Sequence, residues 1–231
     1  MRPSADSMAA YADLRRRLSA VLAEVGDERG VTTPVPACPG WSVTDLTAHV
    51  YGVARDVSDG NVAGAGSDAW TASQVERFAP MGLSGLVAAW NELGPGFEQV
   101  AGGFPDAIAA QITFDSGAHE QDLRGALDRP GARDAASVQI GVEFIGVSLG
   151  RLAEERGLPG VEFITPDLTL VVGPGPERVR LRADTFTLGR ALTGRRSTAQ
   201  LAALPWEGDP TPYLAVFDES PIRPPADDIV E

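Results

Sequence analysis

Apolar positions recur with helical spacing over most of the first two-thirds of the chain. Tyr11, Leu14, Leu18, Val21, Leu22 and Val25 fall every three or four residues, the stripe of one helix over about Met8 to Val25. The Pro-rich segment VTTPVPACPGW stops it. Ser42 or Thr44 then caps a second helix with Asp45 in its first turn, the stripe Leu46, His49, Val50, Val53, Val57 and an end near Gly60. A Gly/Ala-rich loop leads to a short helix from Ala69 to Phe78. The stripe Leu83, Leu86, Val87, Trp90, Leu93, Phe97, Val100 predicts a long helix kinked or broken at Gly94-Pro95-Gly96. Pro105 to Leu127 carries Ile108, Ile112, Asp115, His119, Leu123 and Ala126 on one face. Val138, Val142, Ile145, Leu149 and Leu152 give the last long helix, which stops at Gly157.

Beyond Pro159 the period changes. Val161–Val172 alternates and is rich in β-branched residues, Gly173-Pro174-Gly175-Pro176 turns, and Arg178–Arg182 alternates again, which predicts a two-stranded unit. Two short helices, Thr185–Leu192 and Ser197–Leu204, and an extended Pro-rich tail follow. The expected fold is an α-helical bundle of four or more helices over residues 1–158, with a small α/β C-terminal domain over 159–231.

Composition narrows the function. The net charge of −13 argues against nucleic acid and against an anionic membrane surface. All 19 basic residues are Arg, which removes Schiff-base chemistry and fits the bias of a GC-rich genome. Cys38 is the only cysteine, so no internal disulfide forms, in keeping with a reducing cytoplasm. The N-terminal residues hold no apolar run of signal-peptide length, and no stretch of 18 apolar residues exists, so a cytoplasmic protein is expected. No GxGxxG, P-loop or CxxC is present, and no GxSxG falls at a strand-to-helix elbow.

The chemistry concentrates on the two histidines. His49 and His119 each lie on the apolar stripe of a helix, and Asp115 precedes His119 by four residues. At that spacing the two side chains stand one above the other, with Cβ atoms about 5–6 Å apart. They can grip one divalent ion, and His49 from a facing helix can close the set. Three N and O ligands leave a coordination position open, as in catalytic rather than structural zinc sites. Asp122 falls three residues after His119 and can orient an imidazole N–H. The alternative for Asp115 and His119 is a structural hydrogen bond. Glu120 is expected to be solvated, as are Arg15, Arg16 and Arg17. Cys38 is read as a small packing residue, Trp41 as a staple between loop and helix with a pocket role second, and Trp90 and Phe97 as core.

The segments VPACPGWSVTDLTAHV (35–50), FDSGAHEQDLRGALDRPG (114–131) and LTGRRSTAQLAALPWEGDPTPYL (192–214) resemble, in the same order, the mycothiol-dependent maleylpyruvate isomerase-like proteins of the DinB superfamily. The resemblance implies a DinB-like four-helix up-down bundle with a metal held by His49, Asp115 and His119, and a small C-terminal domain. Asp115 stands where the characterised isomerase has Glu. The implied cofactors are a divalent metal, zinc or else nickel, and mycothiol or a similar thiol as cosubstrate. The implied reaction is isomerisation or thiol transfer on a small electrophile, with His49, Asp115, His119 and Asp122 in the catalytic site. Arg195, Arg196, Arg190 and Arg182 are candidates for a carboxylate of thiol or substrate, with surface ion pairs as their alternative. Two other functions stay open. One is a non-catalytic ligand-binding or regulatory module. The other is a metal-dependent hydrolase with Asp122 as base. The chain is expected to work as a monomer or homodimer.

Overall fold

A computed structural model describes residues 1–175, 178–219 and 222–230. Its helices are α1 (Ser4–Ala23), α2 (Asp27–Thr32), α3 (Val43–Asp59), α4 (Asp68–Phe78), α5 (Gly82–Ala101), α6 (Asp106–Ala126) and α7 (Ala136–Glu155). Strands β1 (Gly160–Ile164), β2 (Thr169–Val172) and β3 (Arg178–Arg182) follow, then α8 (Thr185–Leu192), α9 (Thr198–Ala202), β4 (Trp206–Glu207) and α10 (Thr211–Glu219). The chain forms two compact units, residues 2–131 and residues 132–231 together with Met1.

In the first unit α1, α3, α5 and α6 form the bundle, with α4 laid on α3. Leu14, Leu18, Leu46, Leu86, Trp90 and Leu123 are completely buried in its core. Each such side chain contributes about 1.5–3 kcal/mol over its exposed state. The Trp90 indole N–H donates to the Tyr11 hydroxyl at 2.8 Å, which satisfies the polar end of a buried ring.

Of the kink or break expected at Gly94-Pro95-Gly96, the break does not occur: α5 runs through it with Pro95 inside. The stripe stays in phase, with Trp90, Phe97 and Ala101 all buried, and burial on both sides outweighs the hydrogen bond that Pro removes. Gly94 has a second use. A Cβ there would lie 2.1 Å from Arg15 Nε, so only glycine lets the Arg15 side chain cross the helix.

Arg15 is therefore not part of a solvated face. It is buried, and donates to Glu98 at 2.6 Å and to Asn91 at 2.7 Å. Arg17 reaches Glu120 through two hydrogen bonds, 2.8 and 2.5 Å, and Arg124 adds a third at 3.0 Å. Glu120, expected in solvent, is fully buried between these guanidinium groups. Arg16 alone of the three is exposed and pairs with Asp13.

The second unit departs further from the expected pattern. VEFITPDLTLVV is two strands rather than one, with Thr165, Pro166 and Asp167 making the turn and β1 antiparallel to β2. The Thr165 hydroxyl accepts from the backbone N–H of Asp167 and of Leu168, which closes that turn. β3 pairs parallel with β1, giving a four-stranded sheet of order β2-β1-β3-β4. Helix α7, assigned from the sequence to the bundle that ends at 158, packs instead on β1, β2, α8 and α10. It lies flush on β2 because Gly146 and Gly150 face the strand; a Cβ on either would meet Leu170 or Val172 at 2.5–2.6 Å. The tail is not extended throughout, since α10 buries Tyr213, Val216 and Phe217. Among the described residues no helix is long and apolar enough to cross a membrane.

Candidate metal centre

The site is built at the start of α3 and the middle of α6. The Pro-rich segment folds back on itself: Val35 N–H donates to Trp41 O at 2.9 Å and Trp41 N–H to Cys38 O at 3.0 Å. Ser42 then caps α3 in a reciprocal box with Asp45, the Ser42 hydroxyl accepting from the Asp45 N–H and the Asp45 carboxylate from the Ser42 N–H. This fixes the phase of α3 and turns His49 inward, where it is buried beneath the Trp41 ring, 5.6 Å between centroids.

Helix α6 brings Asp115 and His119 to the same point. His49 Nε2 lies 3.6 Å from Asp115 Oδ2, and His119 Nε2 lies 3.6 Å from Asp115 Oδ1. Neither contact is short enough to be a hydrogen bond. The two imidazole rings are perpendicular, 5.1 Å apart, and one ligand atom from each of the three residues falls within 4.8 Å of the others. Among the described residues Asp115 Oδ2, which is buried, finds no hydrogen-bond partner.

Outer hydrogen bonds decide which ring nitrogen faces that point. Gln74 Nε2 donates to Asp56 Oδ2 at 3.0 Å, so the amide oxygen of Gln74 is the atom 2.8 Å from His49 Nδ1. A carboxylate only accepts, which fixes the amide orientation, and an amide oxygen only accepts, which puts the proton of neutral His49 on Nδ1. Asp56 is held in turn by Arg77 at 2.6 Å and Asn61 at 3.0 Å. Burial raises the Asp56 carboxyl, but Arg77, Asn61 and Gln74 outweigh it and hold it below its ordinary value. On the other side His119 Nδ1 lies 3.0 Å from Asp122 Oδ2, which also accepts from the Cys38 thiol at 3.6 Å. Both histidines therefore turn Nε2 toward Asp115.

The electrostatics follow from this packing. Burial raises the Asp115 carboxyl, but the positive charge available to His119 outweighs it, and the group sits well below the carboxylate range. Burial lowers the His119 imidazole, and Asp115 and Asp122 outweigh that, so it sits well above its ordinary value. Protons alone can thus satisfy the cluster. A divalent cation fits it as well. Bonds of about 2.0–2.2 Å at tetrahedral angles separate neighbouring ligands by about 3.3–3.6 Å, close to the two separations observed. The orphaned oxygen and the two Nε2 lone pairs supply a mixed N and O donor set with outer partners of the usual kind.

Above the three residues a cavity of about 940 Å³ opens within the first unit, lined by Trp41, Trp70, Phe104, Ile112 and Phe114 among others. Asp115 exposes 31% of its side chain to it. Cys38 lines the same cavity rather than serving only as a packing residue. Sequence reasoning missed Gln74, Asp56 and Trp70. The signal for Gln74 was Gly52 on α3, where a Cβ would stand 2.7 Å from the Gln74 side chain.

The four arginines singled out in the sequence belong to the second unit. Arg182 pairs with Glu207 at 2.8 Å. Arg190 is buried. Arg195 donates to Thr193 O and Arg196 to Arg195 O, each at 2.6 Å, with Arg196 6.0 Å from the Phe186 ring.

Comparison with known proteins adds three findings. No curated protein matches the chain. Two solved structures share the fold at low identity. The crystal structure of a histidine-to-alanine mutant of the mycothiol-dependent maleylpyruvate isomerase is 12% identical with TM-score 0.59, covering 89% of this chain and 93% of that one. A crystal structure of the mycothiol-dependent maleylpyruvate isomerase is 13% identical with TM-score 0.51, covering 84% and 90%. The family model of the mycothiol maleylpyruvate isomerase N-terminal domain matches residues 11–129, just over half of the 231, and so the chain belongs to that family.

Proposed function

We propose that the protein is a thiol-dependent isomerase or S-transferase that holds a divalent metal, zinc or nickel, on His49, Asp115 and His119, and uses mycothiol or a similar thiol. The observation that carries this reading is the meeting of two Nε2 lone pairs and an unpartnered carboxylate oxygen at the floor of a roomy cavity. When bound there, the cation would stabilise the thiol sulfur as a thiolate near neutral pH.

The chain's own groups supply the rest. Gln74 and Asp122 hold both imidazoles in the ligating tautomer. The Trp41, Trp70 and Phe114 walls keep water from the electrophile. The thiol adds across an activated alkene. An S–C bond forms, the π pair moves to the carbon beside the electron-withdrawing group, and that carbon takes up the proton the thiol has lost. Rotation about the new single bond and reversal of the addition return the thiol and give the isomer. Retention of the adduct gives a conjugate.

The hydrolase alternative is less well supported. Asp122, its only base, is fully buried and already accepts from His119 and Cys38.

Metal analysis of the purified protein is the test. About one zinc or nickel per chain, a raised melting temperature on adding it, and thiol-dependent loss of an activated alkene that His49→Ala abolishes would support the reading. No retained metal together with no thermal shift would overturn it.

A further inference from the structure

His119 has a second set of neighbours on the side away from Asp115. Its Nδ1 lies 3.0 Å from Asp122 Oδ2, and the Cys38 thiol lies 3.6 Å from the same oxygen. One donor atom from each of the three residues, a sulfur, a ring nitrogen and a carboxylate oxygen, falls within 4.8 Å of the others. All three residues belong to the first unit. Bonds of about 2.3 Å to sulfur and about 2.0–2.1 Å to nitrogen and oxygen, at tetrahedral angles, hold S and O about 3.5 Å apart and N and O about 3.3 Å apart. The observed separations differ from these by about 0.3 Å or less.

The donors are held from two sides. Asp122 follows His119 by three residues on α6, so the helix sets their spacing. Cys38 sits in a turn closed by its own N–H to Val35 O and by the Trp41 N–H to Cys38 O, each at 3.0 Å, and by the bridge between Pro34 and Ser42. Cys38 and His119 both line the cavity, which gives an ion a way in, while Asp122 is buried. A thiolate and a carboxylate carry two negative charges, so a divalent ion leaves the cluster neutral, the condition under which charge is buried without great cost. The set also differs in kind from His49, Asp115 and His119: it contains sulfur, which favours thiophilic ions. The two sets share one imidazole, and a neutral imidazole has a single lone-pair nitrogen. An ion on Nε2 leaves the proton on Nδ1, donated to Asp122. An ion on Nδ1 leaves the proton on Nε2, facing Asp115 Oδ1 at 3.6 Å.

We propose that Cys38, His119 and Asp122 form a second cation site, selective for a thiophilic divalent ion such as cadmium, which competes with His49, Asp115 and His119 for their common imidazole. On binding, the ion gains bonds to Sγ, Nδ1 and a carboxylate oxygen. The thiol proton leaves to water, and the remaining imidazole proton sits on Nε2. A thiophilic ion then silences the first site by taking its histidine rather than by filling it. The second site stands by itself; only the competition rests on the first site holding zinc or nickel as read above.

Titration of the full chain with cadmium, and separately with zinc, tests this without requiring catalysis. Cadmium should bind at about one ion per chain and raise a sulfur-to-metal charge-transfer band in the ultraviolet. Cys38 is half-buried, so Cys38→Ser and Cys38→Ala leave the core intact. Each should abolish the band and weaken cadmium binding at least about tenfold, because sulfur is the donor that selects the ion, and should change zinc affinity far less. His49→Ala should abolish zinc binding and leave the cadmium band in place. In zinc-loaded protein, cadmium should release one zinc for each ion it binds. No band in the parent protein, a band lost in His49→Ala, or cadmium and zinc held together would overturn the proposal. A Cys38-dependent cadmium band in a chain that binds neither zinc nor nickel would overturn the thiol-dependent reading and support the second site. Zinc binding with no cadmium band would overturn the second site alone.

Discussion

Two acidic side chains on α6, five residues apart, show how differently one helix can treat a carboxylate. Glu120 is fully buried and receives three hydrogen bonds from two guanidinium groups. Among the described residues, Asp115 keeps one buried oxygen with no hydrogen-bond partner and faces two imidazole nitrogens at 3.6 Å. A buried ion pair of the first kind is complete without any ligand. The second kind costs stability unless a proton or a cation completes it. The contrast teaches that burial of a charge is not by itself a mark of function; the mark is a charge whose surroundings stop short of satisfying it.

The comparison can be broken most sharply at Asp115. Replacing it with Ala should weaken zinc or nickel binding by more than the 10–100-fold typical of losing an outer partner, while the metal-free protein loses the His119 ion pair and less stability than Glu120→Ala costs. Isothermal titration and thermal melting read the two effects separately, and a large loss of metal-free stability would contradict the contrast.

At Glu120 the expectation is reversed. Glu120→Ala removes the carboxylate that Arg17 and Arg124 share and should cost about 3–5 kcal/mol in urea unfolding. Any metal bound by the remaining folded fraction should keep its parental affinity; a selective loss of metal affinity would show that the cluster belongs to the site.

Gln74→Leu tests the tautomer argument with a smaller effect. It should weaken metal binding about 10–100-fold, or about 1.4–2.7 kcal/mol. In the metal-free protein the ¹⁵N shifts of His49 should change from a pure Nδ1–H form to a mixture. Unchanged shifts would refute the role of Gln74.

The smallest effect concerns pH. The folded Asp56 carboxyl lies below its ordinary value, with burial outweighed by Arg77, Asn61 and Gln74. The stability it contributes is therefore fully present above the ordinary value of 3.8 and is lost as pH falls through the folded value. Asp56→Asn should flatten the acid limb of a melting-temperature profile below about pH 4, and an unaltered limb would count against it.

Local patterns made much of this legible in advance. A 3.6-residue period located the long helices, a capping serine placed the start of α3, and the scarcity of histidine drew attention to His49 and His119. The i, i+4 step from Asp115 to His119 needed only helix geometry. The same reasoning failed wherever a distant residue chose the partner. Glu120 looked solvated because nothing within α6 reveals that Arg17 of α1 will reach it, and Gln74 lies 25 residues from the imidazole it orients. The sheet was misread for a related reason: the parallel pairing of β1 with β3 is a long-range match that alternation alone does not encode.

The amino-acid order by itself determined the helix phases, the family resemblance and the three residues proposed to hold a metal, since each depends on periods, caps and motifs local in the chain. Tertiary structure alone decided which carboxylates are satisfied, which ring nitrogens face the centre and which apolar side chains enclose the cavity. Those outcomes depend on hydrogen bonds and packing between helices far apart in sequence, where burial makes an unmet polar group costly and so selects one partner among many.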